Sequence, residues 1–253
     1  MKTTKRILTA VAAFLAVGLI SSQGQTTISL WDFNGASATT VPGGATAPAA
    51  SIGTGRAALV GGTTGAASFG SGTSNGGSSD PVTTTPQNYG WQTTTYPSAT
   101  SANLTAGVQF LVSTVGRQDI QLTFDVRHSN TSSRYEGVLY TINGGTDWTP
   151  FAFFSGAAGD TWFNTRTVDF SSILGANNNA DFGVRIVAAF ESSAVSGGAD
   201  AYVASQTTYA AGGTWRFDMV NVSGTAVPEP SVLALGALGL IGLHFRQRLV
   251  ARQ

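Results

Sequence analysis

The chain contains no cysteine, which excludes disulfide scaffolds, thiolate metal sites and cysteine nucleophiles together. Charge is also scarce, at 10% of 253 residues, with 13 Lys+Arg balanced by 13 Asp+Glu. That balance is uneven along the chain. Residues 25–226 hold no lysine, and 7 Arg against 12 Asp+Glu leave this stretch at −5. A mildly acidic body without lysine has no basic face with which to displace counterions from phosphates, so nucleic acid is not an expected partner. Histidine occurs only at His128 and His244. A Ser–His–Asp relay would have to use His128, and no serine stands in a recognisable nucleophile elbow. His128 is therefore expected as a surface or turn-capping residue.

What the sequence does have begins at its ends. Lys2, Lys5 and Arg6 precede an apolar run from Ile7 to Ile20 and then Ser21-Ser22-Gln23-Gly24. This order of basic, apolar and small residues is that of a secretory signal peptide over 1–24, with cleavage between Gly24 and Gln25 by signal peptidase. The run is shorter than the roughly 20 residues that span a bilayer. At the other end stand Val227-Pro228-Glu229-Pro230-Ser231, 12 apolar residues from Val232 to Leu243, and then Arg246, Arg248 and Arg252. Two prolines around Glu229 hold the chain extended and keep a helix from continuing upstream. The apolar stretch would reach only about 18 Å as a helix. That is marginal for a transmembrane helix, and the arginines after it would stay cytoplasmic.

This tripartite tail, residues 227–253, resembles the PEP-CTERM sorting signal of Gram-negative bacteria. The resemblance implies recognition of Pro228, Glu229 and Pro230 by an integral-membrane exosortase, with Arg246 and Arg248 as the basic stop. It further implies membrane association through the tail, tail removal, and delivery to the cell surface or an extracellular polymer matrix.

Between the ends, helical periodicity is nearly absent and period-two alternation recurs. Ile120, Leu122, Phe124 and Val126 fall on one face of a strand, with Gln121, Thr123, Asp125 and Arg127 on the other. Phe182, Val184, Ile186, Ala188 and Phe190 repeat the pattern. Further strands are expected at 27–33, 108–112, 137–142, 149–154, 162–169 and 214–222. The expected fold class is all-β, an antiparallel, jelly-roll-like β-sandwich over 25–226, flanked by the signal helix and the short C-terminal helix. Asn143-Gly144-Gly145 predicts a hairpin turn. That segment resembles the Asp-box of sialidase-like propellers, but Asn143 replaces the Asp and no second copy exists, so a single hairpin is expected. Residues 34–107 differ in kind: 15 of the 20 residues from Gly61 to Asp80 are Gly, Ser or Thr. Such a segment cannot order itself alone. It is expected to give edge strands near 57–60 and 91–96, or to lie across the sheet as a long insertion.

The body also resembles a module common in secreted PEP-CTERM proteins. The resemblance is carried by Trp31-Asp32-Phe33, Gly107-Val108-Gln109-Phe110 with Ser113-Thr114-Val115-Gly116, Asp125 to Thr131, Asp160 to Phe163 and Gly213 to Asp218. It implies a secreted β-sandwich and supplies neither catalytic residues nor a ligand.

Candidate chemistry is sparse, and no catalytic residue is assigned. Glu136 and Glu191 could serve a hydrolase only if they flanked a cleft about 5–9.5 Å apart; solvent-facing pairs with Arg134 and Arg185 are the expected arrangement. Asp32 and Asp218, on strands expected to be neighbours, are candidate ligands for a structural calcium. Trp91, Tyr96, Tyr202 and Tyr209 lie in polar surroundings and are the candidate aromatic platform for an exopolysaccharide. The expected role is a non-enzymatic surface or matrix protein, with a carbohydrate-binding module and a secreted hydrolase as alternatives.

Overall fold

Strand alternation in the sequence becomes two stacked sheets in the computed structural model, which describes residues 24–34, 46–66, 69–84 and 88–228. The signal helix and the C-terminal helix lie outside the described residues. Among the described residues, no helix is long and apolar enough to cross a membrane. Among the described residues, twelve strands occur in chain order: β1 (Thr26–Trp31), β2 (Arg56–Val60), β3 (Thr64–Gly65), β4 (Gly70–Ser71), β5 (Tyr89–Thr94) and β6 (Gly107–Leu111), then β7 (Arg117–His128), β8 (Tyr135–Thr141), β9 (Thr149–Ser155), β10 (Thr161–Asp169), β11 (Gly183–Ala189) and β12 (Trp215–Ala226). The first sheet runs β10-β7-β12-β5-β3, with β1 also on β12 and β4 also on β5; the second runs β2-β6-β11-β8-β9. The pairings whose register is defined are antiparallel.

The inward faces make the core. Ile120, Leu122, Phe124 and Val126 of β7 are fully buried, as are Val184, Ile186 and Ala188 of β11 on the facing sheet. Aromatic rings bridge the layers: Trp31 of the first sheet lies 4.8 Å from Phe110 of the second, and Trp91 lies 6.2 Å from the same ring. Each fully buried side chain of this size contributes about 1.5–3 kcal/mol by leaving water, enough in sum to order a body with few ion pairs.

The expected hairpin forms between β8 and β9. Its turn is held by the Thr141 hydroxyl, which accepts the Asn143 and Gly145 amides, and by Asn143 Oδ1, which accepts the Asp147 amide. Gly144 and Gly145 take φ of +70° and +94°, a region costly for residues with a Cβ.

The Gly/Ser/Thr-rich region is built into the sandwich. It supplies β2, an edge strand as expected. It also supplies β5, which is interior, with β12 on one side and β3 and β4 on the other. Residues Gln25–Thr225 form one compact unit.

Candidate functional site

The outward face of the first sheet is polar because alternation puts Arg216 and Asp218 of β12, Asp125 and Arg127 of β7, and Trp162 and Asn164 of β10 on that side. Those six side chains hold the segment 71–79 across the sheet. Arg216 Nη1 donates to the Ser71 carbonyl at 2.5 Å, Trp162 Nε1 to Ser74 O at 2.8 Å, and Arg127 Nε to Asn75 Oδ1 at 3.1 Å. Asn164 Nδ2 donates to Gly77 O at 3.0 Å, and the Ser79 amide donates to Asp125 Oδ2 at 2.5 Å. Burial lowers the Arg216 guanidinium to about 10, with the nearby charge of Arg127 adding to the effect. A sequence without apolar content to fold itself is thus ordered by hydrogen bonds from the sheet beneath it.

Three nearly buried carboxylates lie under or beside this strap: Asp80, Asp125 and Asp218 are 6%, 1% and 0% exposed. Two of them serve backbone irregularities. Asp125 Oδ1 accepts the amide of Thr165 and Asp218 Oδ1 that of Met219, residues with φ of +52° and +47°. Asp80 accepts the Val82 amide at 2.7 Å and the Asn34 side chain at 2.5 Å. Asp218 Oδ2 is buried with no hydrogen-bond partner. Burial pushes the Asp218 carboxyl up to about 8; hydrogen bonds from Ser78 and Met219 oppose the rise, and the charges of Asp80 and Asp125 add to it.

β1, which ends just before Asp32, and β12, which carries Asp218, are neighbours, since Trp31 pairs with Val220. The two carboxylates do different things, however. Asp32 Oδ1 accepts the Asn34 amide at 3.1 Å in a local turn. Among the described residues, no group of three or more His, Asp or Glu side chains is arranged to hold a metal ion. A depression of about 230 Å³ beside the strap is lined by Thr27, Thr123, Asp125, Thr165 and Asn221.

The aromatic candidates are not an exposed platform. Trp91, Tyr96 and Tyr202 are 1%, 5% and 3% exposed. Trp91 falls on the inward face of β5, against Phe33 and Phe110. Tyr96 packs 5.2 Å from Trp215 with its hydroxyl on Thr93 Oγ1, and burial raises its pKa well above the usual phenol range. Tyr202 and Tyr209 stack at 5.2 Å, and their hydroxyls donate to Ala102 O and Pro97 O. The polar sequence around Tyr96, Tyr202 and Tyr209 belongs to loops, whereas that around Trp91 belongs to β5.

His128 and Glu136 are likewise not at the surface; both are fully buried. His128 Nε2 meets Glu136 Oε1, its Nδ1 lies 2.7 Å from Ser133 O, and Arg166 Nη1 donates to Glu136 Oε2 at 2.6 Å. The Arg166 guanidinium also sits over the Phe154 and Phe163 rings. Arg134 donates instead to Ala204 O, and Arg185 to Gln109 while stacking 4.0 Å from Trp148. Both Glu136 oxygens are occupied inside the core. Glu191 accepts the Ala199 amide in a short turn.

Of the sorting residues, Pro228 is described; Glu229, Pro230, Arg246 and Arg248 lie outside the described residues, and of the signal-cleavage pair Gly24 and Gln25 both are exposed. Residues 226–248 match the PEP-CTERM protein-sorting motif. The chain carries this sorting signal. The PEP-CTERM motif implies export, a membrane-anchored passage and processing by an exosortase, and the all-β body is consistent with that route. The match covers 23 of the 253 residues and none of the sandwich before Ala226. No curated protein matches the chain.

Proposed function

We propose that the sandwich is a non-enzymatic protein of the cell surface or extracellular matrix, delivered there by its PEP-CTERM tail. The observation that carries this reading is the continuity of the matched motif with β12: the motif begins at residue 226, the last residue of that strand. A body joined to its sorting signal in this way is the cargo of that signal. Supporting a structural role, several polar side chains that could have served chemistry are engaged within the sandwich. Asp125 and Asp218 satisfy strand irregularities, and Glu136 neutralises Arg166 within the core.

Intact-protein mass spectrometry on envelope and medium fractions tests the route, comparing wild type with a Pro228→Ala, Glu229→Ala, Pro230→Ala variant. Wild type is expected to lose residues 1–24 and its tail, and the variant to keep the tail. A mature wild-type protein still ending at Gln253 would overturn the processing step. Turnover of polysaccharide by the purified protein would overturn the non-enzymatic role.

A further inference from the structure

The sandwich admits the chain and releases it at the same place. β1 and β12 are antiparallel neighbours, and Thr26 pairs with Gly224. Both exits are tied to one residue: Gln25 Nε2 donates to the Asp119 carbonyl at 2.7 Å, and the Thr225 hydroxyl donates to Asp119 Oδ2 at 2.8 Å. Arg117 Nη1 reinforces the junction by donating to Thr26 Oγ1 at 2.7 Å. The first and last strands of the sandwich thus end side by side at Asp119.

The same end carries the most exposed large apolar side chains among the described residues, Leu174 at 82% and Val115 at 60%, together with Ile142 at 44%. Hydrogen bonds show that these loops are neighbours of the exits. Asp119 donates its amide to Asn177 Oδ1, and Gly116 donates to Asn178 Oδ1. The Thr114 hydroxyl donates to Ala176 O, while Asn179 Nδ2 donates to both Ile142 O and Gly175 O. Exposed apolar residues scattered singly need no explanation. Their gathering around both chain exits does.

We propose that this end of the sandwich, with Leu174 and Val115 at its tip, rests on the lipid surface of the membrane while the sorting tail holds the protein there. The inference rests on the tail being a membrane-held sorting signal. Seven residues separate Gly224 from the apolar run that starts at Val232, so the eight steps between the two cover at most about 29 Å of extended chain. Before signal cleavage, a second tether leaves beside the first, so the end holding Asp119 is the one turned to the bilayer. Leucine and valine at the tips of turns enter the headgroup boundary, as interfacial apolar residues do. Tail removal then releases the contact, because two or three side chains hold a protein only weakly without an anchor.

The absence of cysteine makes the test direct. Single-cysteine variants Leu174→Cys, Val115→Cys and Ala210→Cys of the full chain would each carry an environment-sensitive fluorophore. Ala210 is exposed in a loop whose amide bonds Thr131 O, beyond the far end of β7. Each protein is reconstituted into phosphatidylethanolamine–phosphatidylglycerol vesicles and recovered by flotation. Labels at 174 and 115 are expected to shift to the blue and to be quenched several-fold by a lipid-attached quencher, with the label at 210 unchanged. A floating protein whose three labels behave alike overturns the contact and leaves the tail reading intact. A blue shift without lipid quenching means a protein covers this end, which also overturns it. Failure to float removes the membrane-held tail and the inference with it.

Discussion

His128 and Glu136 meet in the core from opposite sheets, β7 and β8, and both are fully buried. Each ring nitrogen of His128 faces an acceptor, Ser133 O or the Glu136 carboxylate. Removing Glu136 as Glu136→Gln would leave Arg166 buried without a counter-charge, which costs about 3–5 kcal/mol. Denaturant unfolding should show that loss. A triple variant replacing His128, Glu136 and Arg166 by apolar residues of similar volume should recover much of it, since buried ion groups often exchange for hydrophobic packing without penalty.

Asp218 gives the protein a pH dependence of defined sign. Its folded-state carboxyl is raised from 3.8 to about 8, so the folded protein holds this proton more tightly than the unfolded chain. The Asp218 contribution is therefore fully favourable below about pH 4 and is lost as the pH rises towards 8. The loss is on the order of a few kcal/mol. Asp218→Asn keeps the shape and cannot ionise. Thermal melts at pH 5 and pH 9 should differ less for that variant than for wild type.

The strap over the first sheet should loosen when its anchors are cut. Arg216→Ala together with Trp162→Phe removes donors to Ser71 O and Ser74 O, each worth about 1 kcal/mol. Amide hydrogen exchange at Ser78 and Ser79 should accelerate roughly tenfold or more, while the β7 and β11 amides keep their protection. Uniform acceleration would mean that the strap is not a separate unit of stability.

Trp91 is a core residue. Its ring lies among Phe33 and Phe110 at 1% exposure. Trp91→Ala should cost about 3–5 kcal/mol by opening a core cavity. Chemical denaturation checks this, and a near-neutral midpoint would contradict the burial.

The strands were legible because alternation is a local property. Ile120 to Arg127 shows its buried and exposed faces within eight residues, and β7 spans Arg117–His128 around them. Polar sequence around Trp91 and Tyr202 misled for the opposite reason: Trp91 sits on the inward face of β5 among polar strand neighbours and Tyr202 in a loop, and for both it is neighbours in space that form the core. Burial of His128 and Glu136 was hidden likewise, since Arg166 is 30 residues from Glu136 and on the other sheet. The Asp119 junction carries no sequence signal at all, because it joins residues 94 and 106 positions apart.

By itself, the sequence determined the sorting motif and the class of fold: a matched motif at 226–248 and alternating strands before it, both written in short contiguous patterns. Only the tertiary structure decided where the polar groups went. It seated His128, Glu136 and Arg166 inside, laid the Gly/Ser-rich strap over Asp125 and Asp218, and brought Gln25 and Thr225 to Asp119. Each of those outcomes depends on long-range strand pairing, which places a partner, and so the cost or benefit of burying a polar group, far away in the chain.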